Sequence, residues 1–340
     1  MKRLNKIYNM KILINSDIDR EKWEQILNSS PFSSPFQTMA FYEFFNSIDN
    51  FSADVFAVEE GSEITSLVVV TIQKEKGIKG FFSRRGIIYG GPLVLDRKSM
   101  SIEFLLGKVK SFYSNKLIFL EIRNFHDYSN YRASLEKLGF KYISWLNFHL
   151  DIHEKSIMLK NMSESRARQI KKAINNGVVW REAKNSGEVI AFYNILSKLY
   201  KNKIKKPLLP KSFFLEFFRQ NIGKILLVIF DEKVIGGIMS LILQGKAIYE
   251  FYVCGLDKEY KNLYPSVMAT WAAIEYAAQY NIPLFDFMGA GSPIEDYGVR
   301  DFKSRFGGRQ VEHGRYLKIL NPLLYNIGKM GLKVLENLRK

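Results

Sequence analysis

The chain has a single cysteine, Cys254, in 340 residues. One thiol excludes an internal disulfide and a cysteine-based zinc site. Cys254 sits in an apolar run, Ile248 to Gly255, with no local signature for an activating partner. It reads as a buried, inert side chain rather than a nucleophile. The four histidines, His126, His149, His153 and His313, show no ligand spacing, so no metal and no cofactor are expected. No run of 18 apolar residues occurs. The best stretch, Ile225 to Leu243, is broken by Asp231-Glu232-Lys233, so no membrane-crossing helix is expected. The basic N-terminus lacks an apolar stretch of signal-peptide length, because Asn5, Asn9, Asn15 and Asp17 interrupt it. The expected location is the cytoplasm, including the inner face of the membrane.

Acidic residues are scarce beside basic ones, 34 against 50, for a formal net charge of +16. Such a surplus favours a polyanionic partner: nucleic acid, an anionic membrane surface or a phosphate-rich substrate. The plainer reading is heavy lysine usage with no such partner. Apolar residues make up 47% of the chain, enough for a sizeable core. The length admits two domains.

Both halves follow one order. Asp54 to Gln73 reads as strand, acidic turn and strand, and Lys224 to Leu243 repeats it with a turn at Asp231 to Lys233. A helix follows in each half, Lys98 to Ser114 and Pro265 to Tyr280, and then a strand, Leu117 to Arg123 and Pro283 to Met288. Lys141 to Leu150 alternates as one strand, and Asp151 to Met162 reads as the boundary. Beyond it, Ser163 or Ser165 caps a helix ending before Gly177. Pro322 to Leu338 is an amphipathic basic helix, with Leu323, Leu324, Ile327, Met330 and Val334 toward one side. Strands alternating with helices give an α/β or α+β class.

The densest chemistry lies in Phe285 to Gly308. A strand-like run ends in Gly289-Ala290-Gly291, an acidic loop follows, and then Phe302-Lys303-Ser304-Arg305-Phe306-Gly307-Gly308. Two cations between aromatics, closed by paired glycines, bring charge, backbone N–H groups and ring faces together. Those parts suit a developing oxyanion beside a large anionic ligand. The plain alternative is a pair of solvated loop cations. Asp286, inside an apolar strand, can orient Lys303, take a proton from an attacking amine, or simply pair with backbone N–H groups. The helix from Arg166 carries Arg168, Lys171 and Lys172 above Ala167, Ile170 and Ile174. Cations at a helix start do not complement its dipole; they fit a grip on phosphates, or an exposed basic face. Lys203 belongs to a second basic cluster, Lys198 to Lys206.

The order of these pieces resembles the FemABX family of peptidoglycan aminoacyltransferases. The resemblance rests on SRARQIKKAINNG from Ser165, on TWAAIEYAAQYNI with Trp271, on FDFMGAG, and above all on FKSRFGG followed by Tyr316. It covers most of the chain in outline and the second half in detail. It implies two GNAT-like domains with mixed sheets flanked by helices, at 1–152 and 153–320, with the amphipathic helix at 321–340. It implies peptide-bond-forming acyl transfer from an aminoacyl-tRNA to a cell-wall precursor amine, and no cofactor. Lys303 then stabilises the oxyanion, Phe302 lies at the donor end, and a tyrosine near Tyr249 and Tyr252 meets the acceptor. Arg166, Lys203 and Arg305 are the matching anion contacts.

The chain departs from the family in two places. No lysine occurs between Lys22 and Lys74, so the helix after Phe36-Gln37-Thr38 lacks the family's lysine, and lysines stand where relatives carry a phosphate-binding arginine. Ordinary GNAT enzymes also cradle coenzyme A on a glycine-rich loop at a helix start. Here that region, Gly255 to Ser266, has no glycine after Gly255. Two alternatives stand beside the resemblance: a GNAT-like N-acyltransferase using a thioester on an amino sugar of an envelope polysaccharide, and a non-catalytic basic module binding nucleic acid or an anionic membrane.

Overall fold

A computed structural model describes residues 10–74, 80, 83–95, 99–295 and 297–337. Asn5, Asn9, Lys98, Leu338 and the side chain of Val334 lie outside the described residues. The chain forms two compact units. One takes the chain up to Ser144 and again from His313; the other is Trp145–Glu312.

The first unit opens with β1 (Met10–Ile14), α1 (Arg20–Ser29), α2 (Met39–Ser47), β2 (Phe51–Glu60) and β3 (Glu63–Gln73). It continues with β4 (Arg85–Gly90), β5 (Leu93–Val94), α3 (Ser99–Tyr113), β6 (Phe119–Asn124), α4 (Arg132–Lys137) and β7 (Lys141–Ile143). The second unit runs through β8 (Leu146–Asp151), α5 (Lys155–Asn161), α6 (Glu164–Asn175), β9 (Val179–Glu182) and α7 (Ser186–Leu199). A π-helical turn (Tyr200–Ile204) and α8 (Lys211–Arg219) lead to β10 (Gly223–Phe230), β11 (Lys233–Leu243) and β12 (Ala247–Gly255). Then come α9 (Pro265–Gln279), β13 (Leu284–Asp286), α10 (Gly298–Ser304) and β14 (Arg309–Glu312). β15 (Arg315–Ile319) and α11 (Pro322–Asn337) belong to the first unit.

Each unit holds one mixed sheet flanked by helices. The first is ordered β1-β2-β3-β4-β6-β15-β7, with β5 paired to β3; the second is ordered β14-β8-β13-β12-β11-β10-β9. The repeated order read from the sequence is present in the strand pairing. In the first unit β2, β3 and β4 are antiparallel, α3 follows, and β6 returns parallel to β4. In the second β10, β11 and β12 are antiparallel, α9 follows, and β13 returns parallel to β12. A helical crossover is what a parallel return requires.

Local sequence explains these elements. Asp231 and Glu232 both take positive φ, 50° and 58°, the primed-turn geometry that suits the twist of a two-residue hairpin. Ile102, Leu105, Leu106 and Val109 recur at helical spacing on α3 and are fully buried. α9 is apolar on almost every side, with Val267, Met268, Trp271, Ala272, Ile274 and Tyr276 all buried. A helix of that kind belongs inside, and it anchors the core formed with Phe285, Phe287 and Phe306. Each large side chain removed from water there contributes about 1.5–3 kcal/mol.

The domain boundaries differ from those expected. The expected bounds are 1–152 for the first domain and 153–320 for the second. Instead, Lys141 to Leu150 is not one strand. β7 pairs with β15 in the first sheet, while β8 pairs with β13 and β14 in the second. β15 lies between β6 and β7, so the chain re-enters the first unit after Glu312. The cause is strand pairing between distant segments, which no local periodicity encodes.

Candidate active site

β12 and β13 pair at Ile248–Phe285 and Tyr249–Asp286, where β13 ends while β12 runs on to Gly255. The sheet therefore forks just beyond Tyr249. Past the fork the register slips by one residue at Phe251, between the pairs Met239–Tyr252 and Ser240–Glu250. Bulges of this kind re-aim side chains beside sites.

Lys303, on α10, places its ammonium across the fork. Nζ donates to the Phe287 carbonyl at 2.5 Å and the Gly289 carbonyl at 2.9 Å, and lies 2.9 Å from Glu250 Oε1. These three partners use all three ammonium hydrogens. Lys303 is 7% exposed and Glu250 4%. The other Glu250 oxygen accepts from Thr270 Oγ1 of α9 at 3.1 Å. A charge in so dry a place acts more strongly than on the surface.

Asp286 does not orient Lys303. Its carboxylate accepts from Asn147 Nδ2 at 2.7 Å, from the Met288 N–H at 2.6 Å, and from His149 Nε2 at 3.1 Å. Burial pushes its pKa up, but the hydrogen bond and charge of His149, with the hydrogen bonds from Asn147 and the Met288 N–H, outweigh burial and hold it below the usual value. Asn147 Oδ1 in turn accepts from the Gly289 N–H at 2.7 Å. The Phe287–Gly289 segment is thus held from one side by Asp286 and Asn147 and from the other by Lys303. Of the roles read for Asp286, the geometry fits pairing with backbone N–H.

A depressed carboxyl stabilises the fold above its unfolded pKa, about 3.9 for Asp, and that contribution is lost as pH falls through the folded value. Asp286→Asn is therefore expected to melt lower than the parent at pH 7, with the gap narrowing below about pH 4. Thermal unfolding from pH 7 to pH 2.5 measures this. A gap that stays constant would remove Asp286 from the acid transition.

Arg166 corrects the reading of its helix. The sequence pattern puts it on an outer, phosphate-gripping face, with Ala167, Ile170 and Ile174 inside. The buried residues of α6 are Arg166, Ile170 and Ala173, and Ile174 is 39% exposed. The guanidinium is 4.5 Å from the ring centroids of both Phe302 and Phe306, and it donates to the Phe302 carbonyl at 3.0 Å. Burial first, and Arg305 second, lower its pKa to about 10. Ring faces and a carbonyl replace the water it gives up. Arg166 ties α6 to α10, while Arg168, Lys171 and Lys172 stay exposed.

The remaining predicted residues divide by burial. Tyr249 is 1% exposed and belongs to the core. Burial first, and Asp286 second, push its hydroxyl pKa well up. It offers no surface to an acceptor. Tyr252 is half-buried and its ring centroid is 6.1 Å from that of Tyr200. Burial, then Tyr297, push Tyr200 up to about 12. Lys203 lies on the π-helical turn beyond Tyr200 and is exposed, as is Arg305. Turns of this type often mark functional sites. Phe302 is half-buried against Phe306.

Sequence reasoning missed Glu250 and Thr270. Glu250 carried a signal, as a lone carboxylate in the apolar run Ala247 to Gly255. Buried charges need partners, and Lys303 was the cation lacking one.

The start of α9 is occupied from within. Pro265 stands at its first position, removing one N–H, and the Ser266 N–H donates to Asp257 Oδ1 at 3.0 Å. Gly255 packs so closely on Pro265 and Ser266 that a Cβ there would meet their backbone.

With this geometry in place, comparison with known proteins locates the chain. Residues 231–331 match the FemAB family. The matched segment contains Glu250, Thr270, Asp286, Phe302 and Lys303. Aminoacyltransferase FemA of Staphylococcus epidermidis is 28% identical over 95 residues, covering 26% of this chain and 22% of that relative's length. The crystal structure of FemX superposes with a TM-score of 0.73 at 14% identity, covering 93% of this chain and 99% of FemX. A tandem GNAT protein from the clavulanic acid biosynthesis pathway superposes with a TM-score of 0.59 at 9% identity, covering 92% and 99%. The fold is therefore the tandem GNAT one. Among the described residues no helix is long and apolar enough to cross a membrane.

Proposed function

We propose that this chain is a Fem-type aminoacyltransferase, moving an aminoacyl group from an aminoacyl-tRNA to an amine of a peptidoglycan precursor. The observation that carries this reading is the buried Lys303 ammonium at the sheet fork, inside the segment that matches the FemAB family. The acceptor amine attacks the ester carbonyl carbon. Its π electrons move to oxygen, giving an oxyanion that Lys303 stabilises. The bond to the ribose oxygen then breaks, the ribose oxygen takes a proton, and the nitrogen gives one up as the amide forms. Phe302 lies at the donor end. Tyr252, Lys203 and Arg305 are the accessible groups left for substrate, while Arg166, Tyr249 and Asp286 hold the framework.

Two features favour a tRNA ester over a thioester. The net charge of +16 suits a polyanionic donor. The start of α9 suits no pyrophosphate, because Asp257 already takes its N–H and would repel a second anion. Contact with an anionic membrane surface belongs to the same proposal: α11 exposes Leu323, Ile327 and Met330 along one stripe, with Lys329 beside it.

Labelled aminoacyl-tRNA mixed with a peptidoglycan precursor is expected to give labelled amide, and ribonuclease treatment of the donor is expected to abolish it. Transfer that survives ribonuclease would exclude the tRNA donor. Acetyl-coenzyme A is expected to show no binding by calorimetry; micromolar binding would revive the thioester reading.

A further inference from the structure

We infer that Glu250 is a positioning residue for the transfer step: it holds the Lys303 ammonium across the fork so that the substrate oxyanion takes the place of the Gly289 carbonyl. This rests on the reading just proposed and names a residue that neither the motif nor the family match singles out.

The argument begins with the cost of burial. Glu250 lies in the middle of an apolar strand and is 4% exposed. A carboxylate there is tolerated only when paired and hydrogen-bonded. Lys303 supplies the counter-charge at 2.9 Å and Thr270, itself buried, supplies the hydrogen bond at 3.1 Å. Thr270 belongs to the largely buried α9, which fixes the carboxylate. Hydrophobic packing alone would favour an apolar residue at this point of β12. The carboxylate makes sense as a device that keeps a cation at the fork.

The three partners of Lys303 are not equivalent. The bond to Phe287 is fully buried, whereas the bond to Gly289 is only partly so. Glu250 and Phe287 hold the ammonium from inside. The Gly289 carbonyl lies on the outer side, where a substrate arrives. Exchanging a neutral carbonyl for a developing oxyanion strengthens that bond as charge forms, so the gain comes in the transition state and not before. Without Glu250 the ammonium would lose its inner anchor, and an arriving anion would draw it out of line.

Glu250→Gln keeps the shape and an oxygen acceptor for Lys303 but removes the charge. In the parent background kcat is expected to fall about tenfold or more, with KM for the aminoacyl-tRNA within about twofold, because the lost interaction acts in the transition state. In a Lys303→Met background the same change is expected to alter residual kcat by less than about twofold, since Glu250 acts through Lys303. A normal kcat in Glu250→Gln, or an equal loss in both backgrounds, would overturn the inference and leave Glu250 a purely structural residue. Should the parent protein transfer nothing, the functional reading fails, and the placement of Lys303 is read separately. In protein labelled with 15N-lysine, one slowly exchanging ammonium resonance is expected to vanish in Lys303→Met and to shift or broaden in Glu250→Gln. A resonance unmoved by Glu250→Gln would overturn the placement.

Discussion

Lys303→Met is expected to lower aminoacyl transfer by about 10²–10³-fold, the range seen when one preorganised oxyanion donor is removed. It is also expected to destabilise the second unit, because Glu250 is left as a buried carboxylate without its counter-charge, a loss of about 3–5 kcal/mol. The two effects have separate origins and can be separated. Lys303→Met combined with Glu250→Leu removes both charges, and an apolar pair of similar volume is often neutral for stability. The double variant is expected to recover most of the lost melting temperature and none of the transfer. Lys303→Arg is expected to rescue neither, since a planar fork cannot meet the Phe287 and Gly289 carbonyls and Glu250 from one point. Steady-state transfer rates and thermal unfolding of the four proteins test this. Parent-like turnover in Lys303→Met would remove the residue from the chemistry.

What the sequence made legible was local. The unit from Phe302 to Gly308 stood out because cations, rings and glycines crowd into a few positions. The repeated hairpin–helix–strand order stood out because acidic turns and helical spacing recur in each half. The repeated order is present in the strand pairing. What stayed hidden depended on partners far along the chain. Glu250 and Lys303 are 53 positions apart, and only the fork between β12 and β13 brings them together. β15 joins the first sheet after the whole second unit has intervened. The inward turn of Arg166 was within reach of local reasoning, since Arg166, Ile170 and Ala173 recur at spacings of four and three and share one helix face. A charged residue in the stripe shifted the apparent apolar face by one position toward Ala167 and Ile174. Charge was read as exposure, whereas two phenylalanine faces were waiting for it.

Gly307→Ala is expected to disable the site from outside it. Gly307 has φ of +85°, and a Cβ there would stand 2.5 Å from the Asn161 carbonyl oxygen and 2.8 Å from its carbon. Both obstacles are backbone, so nothing flexible can give way. The left-handed conformation costs a non-glycine residue roughly 1–2 kcal/mol, and forced overpacking adds about 1–3 kcal/mol. The clash lies at the corner between α5 and α6, where the Ser163 N–H donates to the Arg305 carbonyl at 3.0 Å. Relieving it moves the segment that follows Lys303 away from that corner, and a displacement of about 1 Å is enough to impair a positioned group. Gly177 supplies the control. Its φ is +87°, yet a Cβ there would meet nothing within 4 Å. Gly177→Ala therefore carries the conformational cost alone. At about 2–4 °C per kcal/mol for a unit of this size, Gly307→Ala is expected to lose on the order of 10 °C in melting temperature and Gly177→Ala about 3 °C. Transfer by the folded fraction is expected to drop only in Gly307→Ala. Equal melting losses in the two variants would show that the paired glycines serve backbone conformation alone, and that the close approach to Asn161 does not position Lys303.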